Sequence, residues 1–109
     1  MGIIENQYIL VLTTAPSQEI ASNIAKTLLK NKLCACVNII PQCVSIYEWE
    51  GKIEESHEVM LFIKTIDCKY LELERQVKNI HPYDVPEIIK IQINGGYSKY
   101  LGWIHEVIR

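Results

Sequence analysis

Apolar positions along this chain follow two periods, one of two residues and one near 3.6. Tyr8-Ile-Leu-Val-Leu-Thr-Thr14 is a short, β-branched run, apolar on both alternating faces, and predicts a buried strand. Pro16 and Ser17 punctuate it. Ser17 is a good N-cap, and Glu19 sits where the first helical turn is positive. Ile20, Ile24 and Leu28 then recur every four residues beside Ala21 and Ala25, the stripe of an amphipathic helix. Lys30 and Lys32 suit its negative end, and Asn31 is the expected left-handed stop.

Leu33 to Ile40 predicts a second strand, interrupted by Pro41 and resumed from Cys43 to Glu50. Proline cannot donate to a ladder, so a kink, bulge or edge is expected there. Glu50-Gly51-Lys52 can turn the chain, and Glu54 to Thr65 returns as a third strand. Each arm of this hairpin is on the order of 40–60 Å long at about 3.3 Å per residue. A domain of this size has a radius of gyration of only about 13 Å. The tip near Tyr47, Trp49 and Ile53 should therefore project and seek a partner surface.

Asp67 is the expected cap of a second helix, with Tyr70, Leu73, Val77 and Ile80 as its apolar stripe. His81-Pro82 ends it, because the residue before proline leaves the helical region. Pro86 opens a fourth strand, Glu87 to Ile93. Gly95-Gly96 breaks the chain, and a last helix over about Ser98 to Ile108 buries Leu101, Ile104 and Ile108.

The order β-α-β-β-α-β plus a terminal helix predicts an α+β, ferredoxin-like fold. One antiparallel sheet carries two helices on one face. Val59, Leu61 and Ile63 point to one side of the third strand, Met60 and Phe62 to the other. With both sides apolar, the face without helices calls for the terminal helix or another subunit.

Composition bounds the function. The 109 residues fit one domain spanning 1–109. Eleven basic against thirteen acidic residues leave a net charge of −2, which speaks against nucleic acid as a partner. Half the residues are apolar, so disorder is excluded, yet no apolar run is long enough to span a membrane. Met1 to Gln7 lacks the basic start of an export signal. With Cys34, Cys36, Cys43 and Cys68 read as free thiols, the expected compartment is the cytoplasm, or an organelle should a targeting segment have been removed. No Ser-His-Asp pattern, phosphate loop or zinc-protease motif argues for an enzyme.

Several motifs stand in order along the chain. Thr13-Thr14-x-Pro16 leads into Ile24-Ala25, then Cys34-Ala-Cys-Val-Asn38-Ile-Ile-Pro41. Ser45-x-Tyr47-x-Trp49-x-Gly51-Lys52-Ile53, Glu58 and Lys64-Thr65 follow. His81-Pro82-Tyr83-x-x-Pro86-Glu87 and Tyr100-Leu-x-Trp103-Ile104 close the set. Together they resemble the CutA divalent-cation-tolerance family from about residue 8 to 105. The resemblance implies a tight homotrimer with intertwined hairpins, to which Tyr47, Trp49, Ile53 and Trp103 are assigned as interface residues. It implies copper or another divalent cation as a possible ligand, with no obligatory cofactor. Its architecture is also similar to the trimeric nitrogen-regulatory signal proteins, so the alternative is a small-molecule sensor without a direct metal role.

The most site-like stretch is His81 to Glu87, which gathers an imidazole, a phenol and carboxylates in a proline-stiffened loop. Its plainer reading is a turn whose His81 caps the preceding helix. The family positions point to an inter-subunit cleft of Lys64, Tyr83, Glu87, Trp49 and Glu58, open to a metal ion or a small anionic ligand. His81, Glu87 and Cys36 are the candidate metal ligands. Cys34 and Cys36 would share one strand face and could hold soft Cu(I), although packing is the simpler role for both. Some family members carry a cysteine where this chain has Thr13, and a hydroxyl is a poor soft-metal ligand. His57 and His105 match no ligand spacing.

Overall fold

The structure is a computed structural model and describes residues 7–109. The stretch read against an export signal lies, through residue 6, outside the described residues. Strand β1 covers Tyr8–Ala15, helix α1 Gln18–Lys30, β2 Cys36–Trp49 and β3 Lys52–Ile66. A short 3-10 turn, Asp67–Lys69, leads into α2 over Tyr70–Ile80, and β4 (Ile88–Gln92) and α3 (Ser98–Ile108) complete the chain. The sheet order is β2-β3-β1-β4, with every neighbouring pair antiparallel. This is the ferredoxin-like plan with a long β2-β3 hairpin and an added terminal helix.

Helix ends follow capping chemistry. The Ser17 hydroxyl accepts the Ile20 N–H at 3.2 Å, starting α1. At the other end, Leu33 N–H donates to Leu28 O and Lys32 N–H to Leu29 O, the paired bonds of a Schellman stop. The left-handed residue of that stop is Lys32, at φ 59°, rather than Asn31. Asn31 instead uses its side-chain amide to donate to Thr27 O at 2.8 Å. Asp67 likewise does not cap α2: the 3-10 turn intervenes, and its carboxylate accepts from Lys90 of β4 at 2.8 Å.

The core fills the space between α1, α2 and one sheet face. Ile9, Val11, Leu61 and Ile63 from the strands meet Ile24, Leu28, Leu73 and Val77 from the helices. Two bonds tie the α1–β2 connection into it, from Thr65 Oγ1 to Leu33 O (2.7 Å) and from Ala35 N to Lys64 O (2.9 Å). The second strand consequently begins at Cys36, later than Leu33. The third begins at Lys52, earlier than Glu54, and β4 is shorter than Glu87 to Ile93.

The opposite face is mostly bare. α3 crosses one end, packing Ile104 and Ile108 on Ala35 and Ile66. Beyond it, strand alternation and register set Leu10 and Leu12 beside Ile91 and Ile89, and Met60 beside Ile40. Ile89, Ile91 and Ile40 stay 48%, 46% and 40% exposed, so this apolar strip lacks a cover within the chain.

The hairpin sets the molecule's length. Fourteen residues of β2 span roughly 46 Å at about 3.3 Å each, close to the 48 Å long axis. A register shift between Ile40 and Cys43, with Gln42 at φ 62°, is the bulge expected at Pro41. Glu50 (φ 51°) and Gly51 (φ 81°) form the two-residue turn, both left-handed as the strand twist requires. Ile46, Trp49 and Ile53 around that tip are exposed.

Candidate functional site

Past the bulge, Glu58 continues the bare face of β3, because it alternates in step with Met60, Phe62 and Lys64. Opposite it stands the loop that proline stiffens after α2. Between them opens a groove of about 830 Å³. Trp49, Glu58, Tyr83 and Glu87, four of the five expected cleft residues, line it. Tyr47, Ser45, Ile46, Glu54 and Thr14 add to the strand side, and Asp84 and Val85 to the loop side. Four of these residues are carboxylates, and none is Lys or Arg.

Glu58 is the hub. It is 9% exposed, and both its oxygens are held. Ser45 Oγ donates to Oε1 at 2.6 Å, and Tyr83 Oη donates to Oε2 at 2.8 Å. The strand twist makes the first bond diagonal, since Ser45 sits opposite Ser56 and Glu58 opposite Cys43. Tyr47 Oη and Ser56 Oγ share the next diagonal bond at 2.8 Å. Burial, followed by the hydrogen bond to Glu58, pushes the Tyr83 phenol up to about 12, so it remains a proton donor at neutral pH.

His81 anchors the loop. Its Nδ1 accepts the Tyr83 N–H at 3.1 Å, and its Nε2 lies 2.6 Å from Thr14 O. An acceptor at Nδ1 and a carbonyl at Nε2 require the neutral tautomer with hydrogen on Nε2. Its ring also sits 4.8 Å from that of Tyr83, tilted by 50°. The imidazole is buried and both nitrogens are engaged, so no lone pair is free for a metal in this arrangement.

The other expected site residues lie elsewhere. Lys64 is six residues from Glu58 along β3, roughly 20 Å at about 3.3 Å per residue. Its Nζ lies 5.6 Å from the Tyr100 ring centroid, under α3, where Tyr100 stacks on Trp103. Cys36 pairs with Lys64 and shares that far end, so His81, Glu87 and Cys36 do not converge within one chain. Among the described residues, no group of three or more His, Cys, Asp or Glu side chains is placed to hold a metal ion. Cys34 precedes β2, so the same-face argument for the two thiols fails. Burial pushes its thiol up to about 12, which removes the thiolate that a soft metal needs. Thr13 is fully buried on the core side, away from the groove.

Ser56 and Glu54 were not singled out from the sequence, while Ser45 and Asp84 entered only as members of their motifs. The signal was the alternation Ser45-x-Tyr47-x-Trp49, paired against Glu54-x-Ser56-x-Glu58, which places a polar face on an exposed hairpin.

Comparison with known proteins agrees with this fold. Residues 9–107 match the family described as CutA1 divalent ion tolerance protein. The chain belongs to the CutA family. It is 46% identical over 96 residues to the divalent-cation tolerance protein CutA of Thermus thermophilus, covering 88% of this chain and 93% of that protein. It is 43% identical over 101 residues to the chloroplastic CutA protein of Arabidopsis thaliana, covering 93% of this chain and 56% of that one. The structure of the periplasmic divalent cation tolerance protein CutA from Archaeoglobus fulgidus superposes with a TM-score of 0.91 at 43% identity, covering 94% and 99% of the two chains. The chain spans only 53–63% of its curated CutA relatives from animals and plants. Among the described residues, no helix is long and apolar enough to cross a membrane.

Proposed function

We propose that this CutA chain works as a homotrimer and binds a divalent cation, copper(II) among them, in the acidic groove at the boundary between subunits. The carrying observation is placement. The groove and the uncovered apolar strip lie on one sheet face, so a neighbour that covers the strip borders the groove. That neighbour would also supply what one chain lacks, Lys64 and α3 being at the far end of the same face. Trp49, Tyr47, Ile53 and Trp103 anchor the contact, since large exposed aromatics concentrate interface energy.

The donor set favours a cation over an anion. Carboxylates suit a hard or borderline ion held partly through water, while soft Cu(I) finds no thiol there. The residues of one chain fit outer-sphere holding by Asp84 and Glu87, with further ligands from water or the neighbour. The role is binding rather than catalysis, in the reducing cytoplasm where the four free cysteines are at home. The second reading is a trimeric small-molecule sensor with no direct metal role, and the aromatic lining by Tyr47 and Trp49 favours it.

Light scattering with calorimetry tests both. Three copies of 12.6 kDa give about 38 kDa. The proposal expects that mass, together with saturable Cu(II) binding tighter than about 100 μM that weakens in Asp84→Asn/Glu87→Gln. A monomer overturns the assembly. A trimer without metal binding leaves the sensor reading.

A further inference from the structure

We infer that the same groove binds alkyl polyamines, organic chains carrying several ammonium groups, and that they compete there with divalent cations. This rests on the groove being the ligand site, as proposed above, and goes beyond it in ligand class.

Size is the first reason. Six waters around a metal ion occupy on the order of 180 Å³ at about 30 Å³ each. The groove is about 830 Å³, the range of organic ligands. Hydrogen-bond inventory is the second. The hydroxyls of Ser45 and Tyr83 already donate to Glu58, and those of Tyr47 and Ser56 are bonded to each other. The charged groups that remain in the lining are all acceptors, with Glu54, Asp84 and Glu87 exposed. An acceptor-rich groove is matched by N–H donors, and each ammonium brings three.

The walls are the third reason. Tyr47 and Trp49, which are also placed at the subunit contact, line the groove with aromatic rings that attract an ammonium. Ile46 and Val85 are apolar and offer cover for methylene groups. A hydrated metal ion gains nothing from these four side chains. A chain alternating charge and methylene uses all of them.

The test is calorimetry on the full-length assembled chain with spermidine as the probe. Saturable binding is expected, weakened about tenfold or more in Asp84→Asn/Glu87→Gln through loss of charge-assisted hydrogen bonds. Glu72→Gln, a carboxylate on the outer face of α2 paired with Arg75, is expected to leave the affinity unchanged. Trp49→Leu is expected to weaken spermidine more than Mg²⁺; where light scattering shows that this variant no longer assembles, the carboxamide pair decides alone. Absence of saturable heat up to about 5 mM overturns the inference. So does equal weakening by Glu72→Gln, which would mark bulk attraction, or a Trp49→Leu assembly that binds spermidine as before. Metal binding without spermidine binding sinks this inference alone; spermidine binding without metal sinks the metal reading and the competition, and leaves the polyamine site.

Discussion

The phenol of Tyr83 donates to the carboxylate of Glu58 at 2.8 Å across 25 residues of sequence, joining the loop after α2 to the long hairpin. Glu58 is nearly buried, so each of its two donors is worth more than a surface bond. Tyr83→Phe keeps the ring and removes one donor. Urea unfolding should show a loss of about 1–2 kcal/mol. Ser45→Ala should cost a similar amount. The double variant should depart from additivity, because both donors serve one carboxylate.

Alkaline pH should loosen this junction. The phenols of Tyr83 and Tyr70 are both pushed up to about 12, burial being the larger cause and hydrogen bonds to Glu58 and Glu74 the next. An unfolded tyrosine ionises near about 10. The folded chain thus holds these protons where the unfolded chain has lost them. The stabilisation is complete below pH 10 and is lost as pH rises from about 10 towards about 12. Denaturant midpoints measured at pH 9 and pH 11 should fall over that interval. Tyr70→Phe/Tyr83→Phe should flatten the fall; an equal fall in that variant would refute the assignment.

His81 is predicted to hold the loop and not the metal. Both its nitrogens are engaged, with Tyr83 N and Thr14 O. His81→Ala removes the shorter bond to the buried Thr14 carbonyl and the acceptor of the Tyr83 amide, and should cost about 1–3 kcal/mol on chemical denaturation. Cu(II) affinity, measured where the variant is still folded, should stay within about twofold of the parent, well short of the tenfold per 1.4 kcal/mol expected of a lost ligand. A much larger loss would show that the imidazole turns outward to bind.

Periodicity made the strands, helices and hairpin legible before any coordinates. Alternation in Val59 to Ile63 already implied two apolar sheet faces, and Pro41 implied the bulge. Local end chemistry was less legible. Asn31 and Lys32 are both acceptable near a helix stop, and the Schellman bonds choose Lys32 for the left-handed position. Asp67 reads as a cap until Lys90, 23 residues later, competes for its carboxylate. The site was half legible. His81 to Glu87 is local, and its groove role follows from one loop. Lys64 and Glu58 belong to one strand, and their separation is a matter of counting residues along β3. Grouping them in one cleft therefore requires a second subunit that brings its own Lys64 to the groove.

The bare sheet face supplies the remaining prediction. Ile89 and Ile91 on edge strand β4 lie beside Leu12 and Leu10, and all four sit outside the core that α1 and α2 cover. Burying such a strip in an assembly contributes about 25 cal/mol per Å² removed from water. A charge placed in its middle would have to be desolvated without a partner, which costs more than the strip can return. Ile89→Glu should therefore lower the mass in light scattering from that of the proposed trimer, about three times 12.6 kDa, towards 12.6 kDa, with far-UV circular dichroism preserved because Ile89 is 48% exposed in the single chain. Leu71→Glu is the matched control. Leu71 is also exposed, at 78%, but sits on the outer side of α2, remote from this face. Its mass should not change. An Ile89→Glu chain that keeps the parent mass would remove this face from the assembly.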